Sequence, residues 1–180
     1  MVHKFRVTHA HIVPPIVIQL AKDAVVDQFD LSSLKDALSA AAPLGESTAA
    51  DCAKRFPGLR LRQAWGMTEL SPIATMTPLG AHRPGSVGPP VASTSIKVVD
   101  VRTREPLPAG SEGELCVRGP QVMLGYDRAE ETAKCLDADG WLATGDVAYI
   151  EQDGFVTVTD RIKELVRSAA ARAQALTPRR

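Results

Sequence analysis

Four short stretches carry residue types that could do chemistry. "WGMTE" at Trp65–Glu69 places an indole face, a residue without a side chain, a hydroxyl and a carboxylate within five positions. Trp65 offers a flat surface on which a purine could lie, and Gly66 leaves room for close approach to the backbone. The Thr68 hydroxyl can donate to a phosphate oxygen. Glu69 can hold Mg²⁺ directly or through water, since that ion takes oxygen ligands. The plain alternative is a strand end whose Thr caps the next turn and whose Glu is solvated; five residues alone do not choose. In "GWLATGD", Gly140–Asp146, a carboxylate after a Thr-Gly turn could accept hydrogen bonds from a vicinal diol, or simply cap the turn. In "DRIKEL", Asp160–Leu165, Arg161 could fork onto a sugar or phosphate, or form an ion pair where the chain leaves a strand. "SAAAPLG", Ser39–Gly45, makes a thin wall past which a flat ligand could slide, or an ordinary strand-to-helix turn.

The elements that must position these residues fall into three regions. Over residues 1–75 apolar runs alternate with helical stretches. "FRVTHAHI" reads as a strand, and "PPIVIQLAKD" as a helix entered through proline. "LSSLKDALSA" reads as a short helix feeding a buried strand, "GESTAADCAKRF" as a helix, and "GLRLRQAW" as the next strand. Strand–helix–strand repetition implies an α/β layer with a mostly parallel sheet. Residues 76–160 are β-rich: "TSIKVVD", "EGELCVRG", "GWLATGDVAYI" and "GFVTVTD", a hairpin turn at Glu151–Gly154, and one helix over about Arg128–Leu136. Residues 161–180 form a basic, Ala-rich tail with no convincing packing face, read as solvated or frayed.

The chain of 180 residues is long enough for one domain with a real core. It has 21 basic and 21 acidic residues and no basic stripe, which argues against a nucleic-acid partner. Its longest apolar run, Ile12–Ala21, is too short for a membrane span and holds two prolines. No signal-peptide pattern opens the chain, and Cys52, Cys116 and Cys135 are odd in number and far apart. Reduced thiols in a cytoplasmic protein are the expectation.

The four stretches, in this order and spacing, resemble the adenylate-forming enzymes, the superfamily of acyl-CoA synthetases, luciferases and peptide-synthetase adenylation domains. The nearest likeness is to 4-coumarate–CoA ligases. "WGMTE", "RPGSVGPP", "EGELCVRGPQVMLGY", "GWLATGD" and "DRIKEL" are similar to five successive core motifs, and Val13–Gly45 is similar to the segment lining the acyl pocket. The resemblance runs from about Phe5 to Arg167. It implies the fold class: α/β, the C-terminal part of the large domain of an adenylate-forming enzyme, with an α/β layer plus a small β-barrel-like sheet. It also implies ATP, Mg²⁺ and coenzyme A, with a small carboxylic acid as substrate. A carboxylate attacks the α-phosphate of ATP to give an acyl-adenylate and pyrophosphate, and the coenzyme A thiol then displaces AMP.

Roles carried by motif position follow from the same resemblance. Thr68 binds phosphate and Glu69 helps hold Mg²⁺. Gln63, Ala64, Trp65 and Gly66 border the adenine and acyl groups. Ala41, Ala42 and Pro43 form the other side of the adenine cleft, and Ala41 and Met76 touch the acyl chain. Asp146 takes the ribose hydroxyls with Arg161, and Lys163 marks the segment about which the family's small C-terminal domain swings. Ala40 and Ala64 stand where the family usually has Gly, Trp65 where it has Tyr, and Arg167 where it has Lys. No Ser/Thr/Gly-rich phosphate loop ending in Lys is present, and "SAAARAQALTPRR" does not resemble the expected continuation. The expectation is therefore a fragment whose chemistry is completed in a longer chain, inactive or severely impaired by itself. The alternative is a non-catalytic module that binds adenylate or pairs with another subunit. An aromatic acid of the 4-coumarate type and a medium-chain fatty acid are both compatible.

Overall fold

A one-turn helix, α1 (Val2–Phe5), opens the chain in the computed structural model, which describes residues 1–81 and 83–164. The backbone then turns at Arg6, which is left-handed with φ 51°, and its guanidinium pairs with Asp30 and reaches the Ser32 hydroxyl at 3.3 Å. Strand β1 is thereby confined to His9–Ile12, shorter than the expected Phe5–Ile12. Helix α2, Pro14–Lys22, begins with two prolines in its first turn, where a missing N–H costs nothing. Strand β2 is Asp36–Ser39, helix α3 is Glu46–Arg55, strand β3 is Arg60–Gly66 and strand β4 is Ile73–Met76. The expected helix before β2 is a turn instead. The amides of Lys35 and Asp36 both donate to the Thr8 carbonyl, at 2.8 and 3.1 Å, which draws this segment out alongside β1.

The sheet order is β1-β2-β3-β4, with β1, β2 and β3 parallel and β4 antiparallel to β3. Successive side chains alternate between its faces. One face carries Ala37 and Leu61 and packs with Val17, Leu44, Ala49 and Cys52; Ile12, Leu20, Ala21 and Phe56 pack against that cluster. The helical contributors recur at 17, 20 and 21 on α2 and at 49, 52 and 56 on α3, the spacing of one helix face. Burial of Val17 and Leu61 contributes roughly 1.5–3 kcal/mol each.

The opposite face sets a buried ion pair beside the apolar Leu38 and Ala64. Asp36, 3% exposed, receives Arg62 through Nε at 3.1 and 3.2 Å and through Nη2 at 2.8 Å, and Arg60 stands 3.5 Å away. Thr75 and Met76, where the sequence changes character, lie together within β4, and the compact unit they belong to spans Met1–Ala92.

A second unit starts at Ser93. Its strands β5 (Ser95–Val99), β6 (Gly113–Arg118), β7 (Leu142–Ile150) and β8 (Val156–Arg161) form an antiparallel sheet in chain order. Leu115, Val117, Leu142 and Val156 are almost wholly buried. The hairpin at Glu151–Gly154 closes as expected, with the Gly154 amide bonded to the Glu151 carbonyl at 2.9 Å. Helix α4 is only Ala129–Thr132. It ends early because the Asp137 carboxylate takes the amides of Asp139 and Trp141, and the Cys135 carbonyl takes the amide of Ala143 at 2.7 Å. No helix among the described residues is long and apolar enough to cross a membrane. The expected tail after Glu164 and the Arg167 departure lie outside the described residues.

Replacing Arg62 with Ala leaves Asp36 buried with Arg60 as its nearest cation. We expect this to lower the unfolding free energy by about 3 kcal/mol, read as a fall in the urea midpoint at unchanged m-value. A loss below about 1 kcal/mol would show that Arg60 takes over the pairing.

Candidate functional site

Parallel strand β2 ends at Ser39, the register partner of Gln63, and β3 runs on three residues to Gly66. Ala40–Pro43 and Met67–Glu69 therefore both leave the sheet at the same end, that of the strands' carboxyl termini. In open α/β sheets ligands bind beyond the carboxyl ends of the strands. Ala41, Ala42 and Pro43 are exposed, and Ala41 sits at φ 74°, a left-handed conformation costly for a residue with a Cβ. Ser39 is 2% exposed, and its hydroxyl has no hydrogen-bond partner among the described residues. A buried hydroxyl left in that state costs about 1–3 kcal/mol.

The candidate side chains on β3 divide between the faces of the sheet. Gln63 and Trp65 share the face of Ser39, whereas Ala64 pairs with Met76 on the other. The structure therefore does not gather Gln63, Ala64 and Trp65 into one wall. Gln63 is held by the Thr77 amide, which donates to its carbonyl at 2.8 Å, and its side-chain amide lies 3.4 Å from the Ser86 carbonyl. Between Trp65 and Gly66 the ladder shifts register. A Cβ on Gly66 would stand 1.8 Å from the Pro72 carbonyl oxygen and 2.9 Å from the Ile73 Cα. The returning strand occupies the place a Cβ would take, so the fold itself demands this glycine.

After the glycine a 3-10 turn, Thr68–Leu70, is anchored by Leu70, which is fully buried. Thr68 is exposed, and its hydroxyl makes no hydrogen bond among the described residues; Met67, not Thr68, holds the cap position of the turn. Glu69 follows, half-buried. No group of three or more His, Cys, Asp and Glu side chains that could hold a metal ion occurs among the described residues. Mg²⁺ fits here only through Glu69 together with water and ligand oxygens, a donor set that ion accepts.

In the second unit Asp146 and Arg161 are register partners across β7 and β8, with Arg161 Nε 3.0 Å from Asp146 Oδ1. Asp146 is 5% exposed, while Arg161 is open to solvent. Asp146 and Arg161 thus lie side by side, joined by an ion pair where the chain leaves β8, as the plain reading of Arg161 has it. Lys163 is exposed, two residues beyond the end of β8. Burial pushes the Cys52 and Cys116 thiols up, which disfavours the reactive thiolate at either position. Sequence reasoning missed Ser39 and Glu114. The available signal was a polar residue at a strand position otherwise flanked by apolar ones, as in "DALSA" and "GELC".

The pattern of the family described as AMP-binding enzyme matches residues 1–127. The chain belongs to that family. It is 42% identical over 173 residues to 4-coumarate–CoA ligase from Pinus taeda, an alignment covering 93% of this chain and 32% of that protein. Its fold is similar to ATP-bound MatB from Rhodopseudomonas palustris, with a TM-score of 0.81 and 30% identity over 88% of this chain and 31% of the other. It is also similar to the anthranilate CoA ligase AuaEII in complex with anthranoyl-AMP, with a TM-score of 0.83 and 28% identity, covering 90% of this chain and 31% of that one. The chain thus spans about a third of the length of these relatives. Its fold is the corresponding mixed α/β part of an adenylate-forming enzyme.

Substituting Gly66 with Ala is expected to cost about 3 kcal/mol, because the contact it creates is with backbone that has no rotamer to give. Chemical denaturation of the variant measures this. A change within about 0.5 kcal/mol would mean that β4 can move away freely.

Proposed function

We propose that this chain supplies acyl-adenylate recognition in an ATP-dependent acid–CoA ligase of the 4-coumarate–CoA ligase type. The reaction joins a carboxylate to the α-phosphorus of ATP with loss of pyrophosphate, and the coenzyme A thiol then takes the acyl group and releases AMP. In this reading Thr68 donates to phosphate, Glu69 is the protein ligand to Mg²⁺, and Asp146 accepts from the ribose hydroxyls beside Arg161. Ala41, Ala42 and Pro43 border the adenine on one side and Gln63, Trp65 and Gly66 on the other. Ala41, Ala64 and Met76 contact the acyl group, and Lys163 belongs to the segment that reorganises between the two half-reactions. When bound, Mg²⁺ neutralises developing phosphate charge.

The observation that supports this most is the end of the first sheet. At the end of β2 the Ser39 hydroxyl is buried without a partner among the described residues, beyond it Ala41 is left-handed, and beyond β3 the Thr68 hydroxyl is exposed. Groups left open at the carboxyl ends of parallel strands are suited to a polar, flat ligand. An aromatic acid is favoured by the names of the 4-coumarate–CoA ligase relatives.

Titration of the purified chain with a non-hydrolysable 4-coumaroyl-adenylate analogue in a calorimeter tests the reading. Saturable binding is expected, weakened about tenfold to a hundredfold by Asp146→Ala, the usual worth of a charged hydrogen bond. A folded chain that takes up no analogue, or binds it equally well after Asp146→Ala, sinks the proposal. A second titration with a medium-chain acyl-adenylate analogue compares the two acids, and tighter binding of that compound would overturn the aromatic assignment.

A further inference from the structure

Strands β6 and β7 lose register beside Asp146. Glu114 faces Val147 and Cys116 faces Ala143, so two steps along β6 are matched by four along β7. The surplus, around Thr144 and Gly145, leaves the β6 ladder, and backbone groups taken off a ladder need other partners. The Thr144 hydroxyl supplies two bonds, donating to the Leu115 carbonyl at 2.7 Å and accepting the Asp146 amide at 3.1 Å. Gly145 adopts φ 74°, where glycine is at ease. Its amide donates to Glu114 Oε1 at 2.9 Å.

Glu114 is itself 6% exposed, and its other oxygen accepts the Arg104 guanidinium. Arg104 stands in a tight turn at φ 66°. That turn is held by the Asp100 carbonyl, which takes the Arg104 amide at 2.9 Å, and by the Asp100 carboxylate, which takes the amides of Arg102 and Thr103 at 2.8 and 2.7 Å. A continuous set of bonds therefore leads from the Asp100 turn through Arg104 and Glu114 to the residue immediately before Asp146.

We propose that Glu114 is a positioning residue for Asp146: its carboxylate grips the Gly145 amide, fixes the bulge, and so sets the direction in which the Asp146 carboxylate is presented, with Arg104 holding Glu114 in place. The role assigned to Asp146 rests on the ligase reading, whereas the grip on Gly145 stands on geometry alone. Glutamate suits the task because one oxygen serves the bulge amide while the other takes a cation.

The test uses the complete chain with Glu114→Ala, Glu114→Gln and Arg104→Ala. Its readouts are residue-resolved amide hydrogen exchange and titration with the acyl-adenylate analogue. In Glu114→Ala, exchange at Gly145 is expected to quicken at least tenfold while amides of β2 and β3 keep their wild-type protection, and analogue affinity falls about tenfold. Glu114→Gln keeps an acceptor oxygen and is expected to restore most of both. Arg104→Ala, which leaves the Glu114–Gly145 bond itself available, should loosen Gly145 by a smaller factor and covers the case in which Glu114→Ala does not fold. Unchanged Gly145 protection in the Ala variants overturns the proposal, as does a Glu114→Gln variant as loose as Glu114→Ala. Loosened Gly145 in a chain whose wild type binds no analogue supports the grip and overturns the ligase reading.

Discussion

A carboxylate almost out of reach of solvent sits on the first residue of β2, and the alignment of the sheet depends on how it is neutralised. Asp36 is met by Arg62 and, more distantly, by Arg60, both on the neighbouring strand. Sliding β3 by one residue would carry both arginines to the opposite face, where Ala37, Leu61 and Val17 form the apolar core, and would leave Asp36 facing a hydrocarbon. The gross attraction of such a pair is largely offset by its desolvation. Its consequence here is register: with Asp36 opposite Arg60, Ser39 must lie opposite Gln63, and the segments beyond each strand must emerge side by side.

Both groups of candidate residues lie where a ladder breaks. In the first unit β3 and β4 shift between Trp65 and Gly66, at the point where the chain leaves the sheet toward Thr68. In the second, β7 departs from β6 around Thr144 and Gly145, and from β8 between Val147 and Ala148, bracketing Asp146. A regular strand would direct neighbouring side chains alternately to two faces. A bulge frees one residue from that alternation and re-aims it, at the cost of ladder bonds that must be replaced. Glycine answers a different need in each case: Gly66 admits a backbone carbonyl at a distance no Cβ could tolerate, and Gly145 adopts a positive φ.

Elements decided by their own residues were legible in the sequence. The two prolines and the 17, 20, 21 spacing specify α2, and the β-rich runs of the second unit appear as strands at their expected places. Elements decided by distant partners were not. The turn at Arg6 answers to Asp30, the extended Lys35 to the Thr8 carbonyl, and the early end of α4 to the Asp137 carboxylate and the start of β7. The site divides similarly. Residue type marked Thr68, Glu69 and Asp146 as candidates, yet only register shows that Ala64 and Met76 face away from Gln63 and Trp65. Ser39 and Glu114 escaped notice because their significance lies in a bond absent in one case and made across strands in the other.

The end of β2 carries two unfavourable features within three residues. A left-handed alanine costs roughly 1–2 kcal/mol, and a buried hydroxyl without a partner costs a similar amount. Neither is relieved locally: Ala41 keeps its positive φ, and the Ser39 hydroxyl has no partner among the described residues. The strand is not free to shift, because Asp36 holds its first residue, Ile12 and Gln63 flank its last, and Ala37 and Leu38 are buried between. Strain of this kind persists only where the surroundings over-determine the backbone. The ion pair at one end of a four-residue strand thus accounts for the open hydrogen-bonding group at the other, and a polar ligand there would recover free energy that the folded chain alone leaves unrecovered.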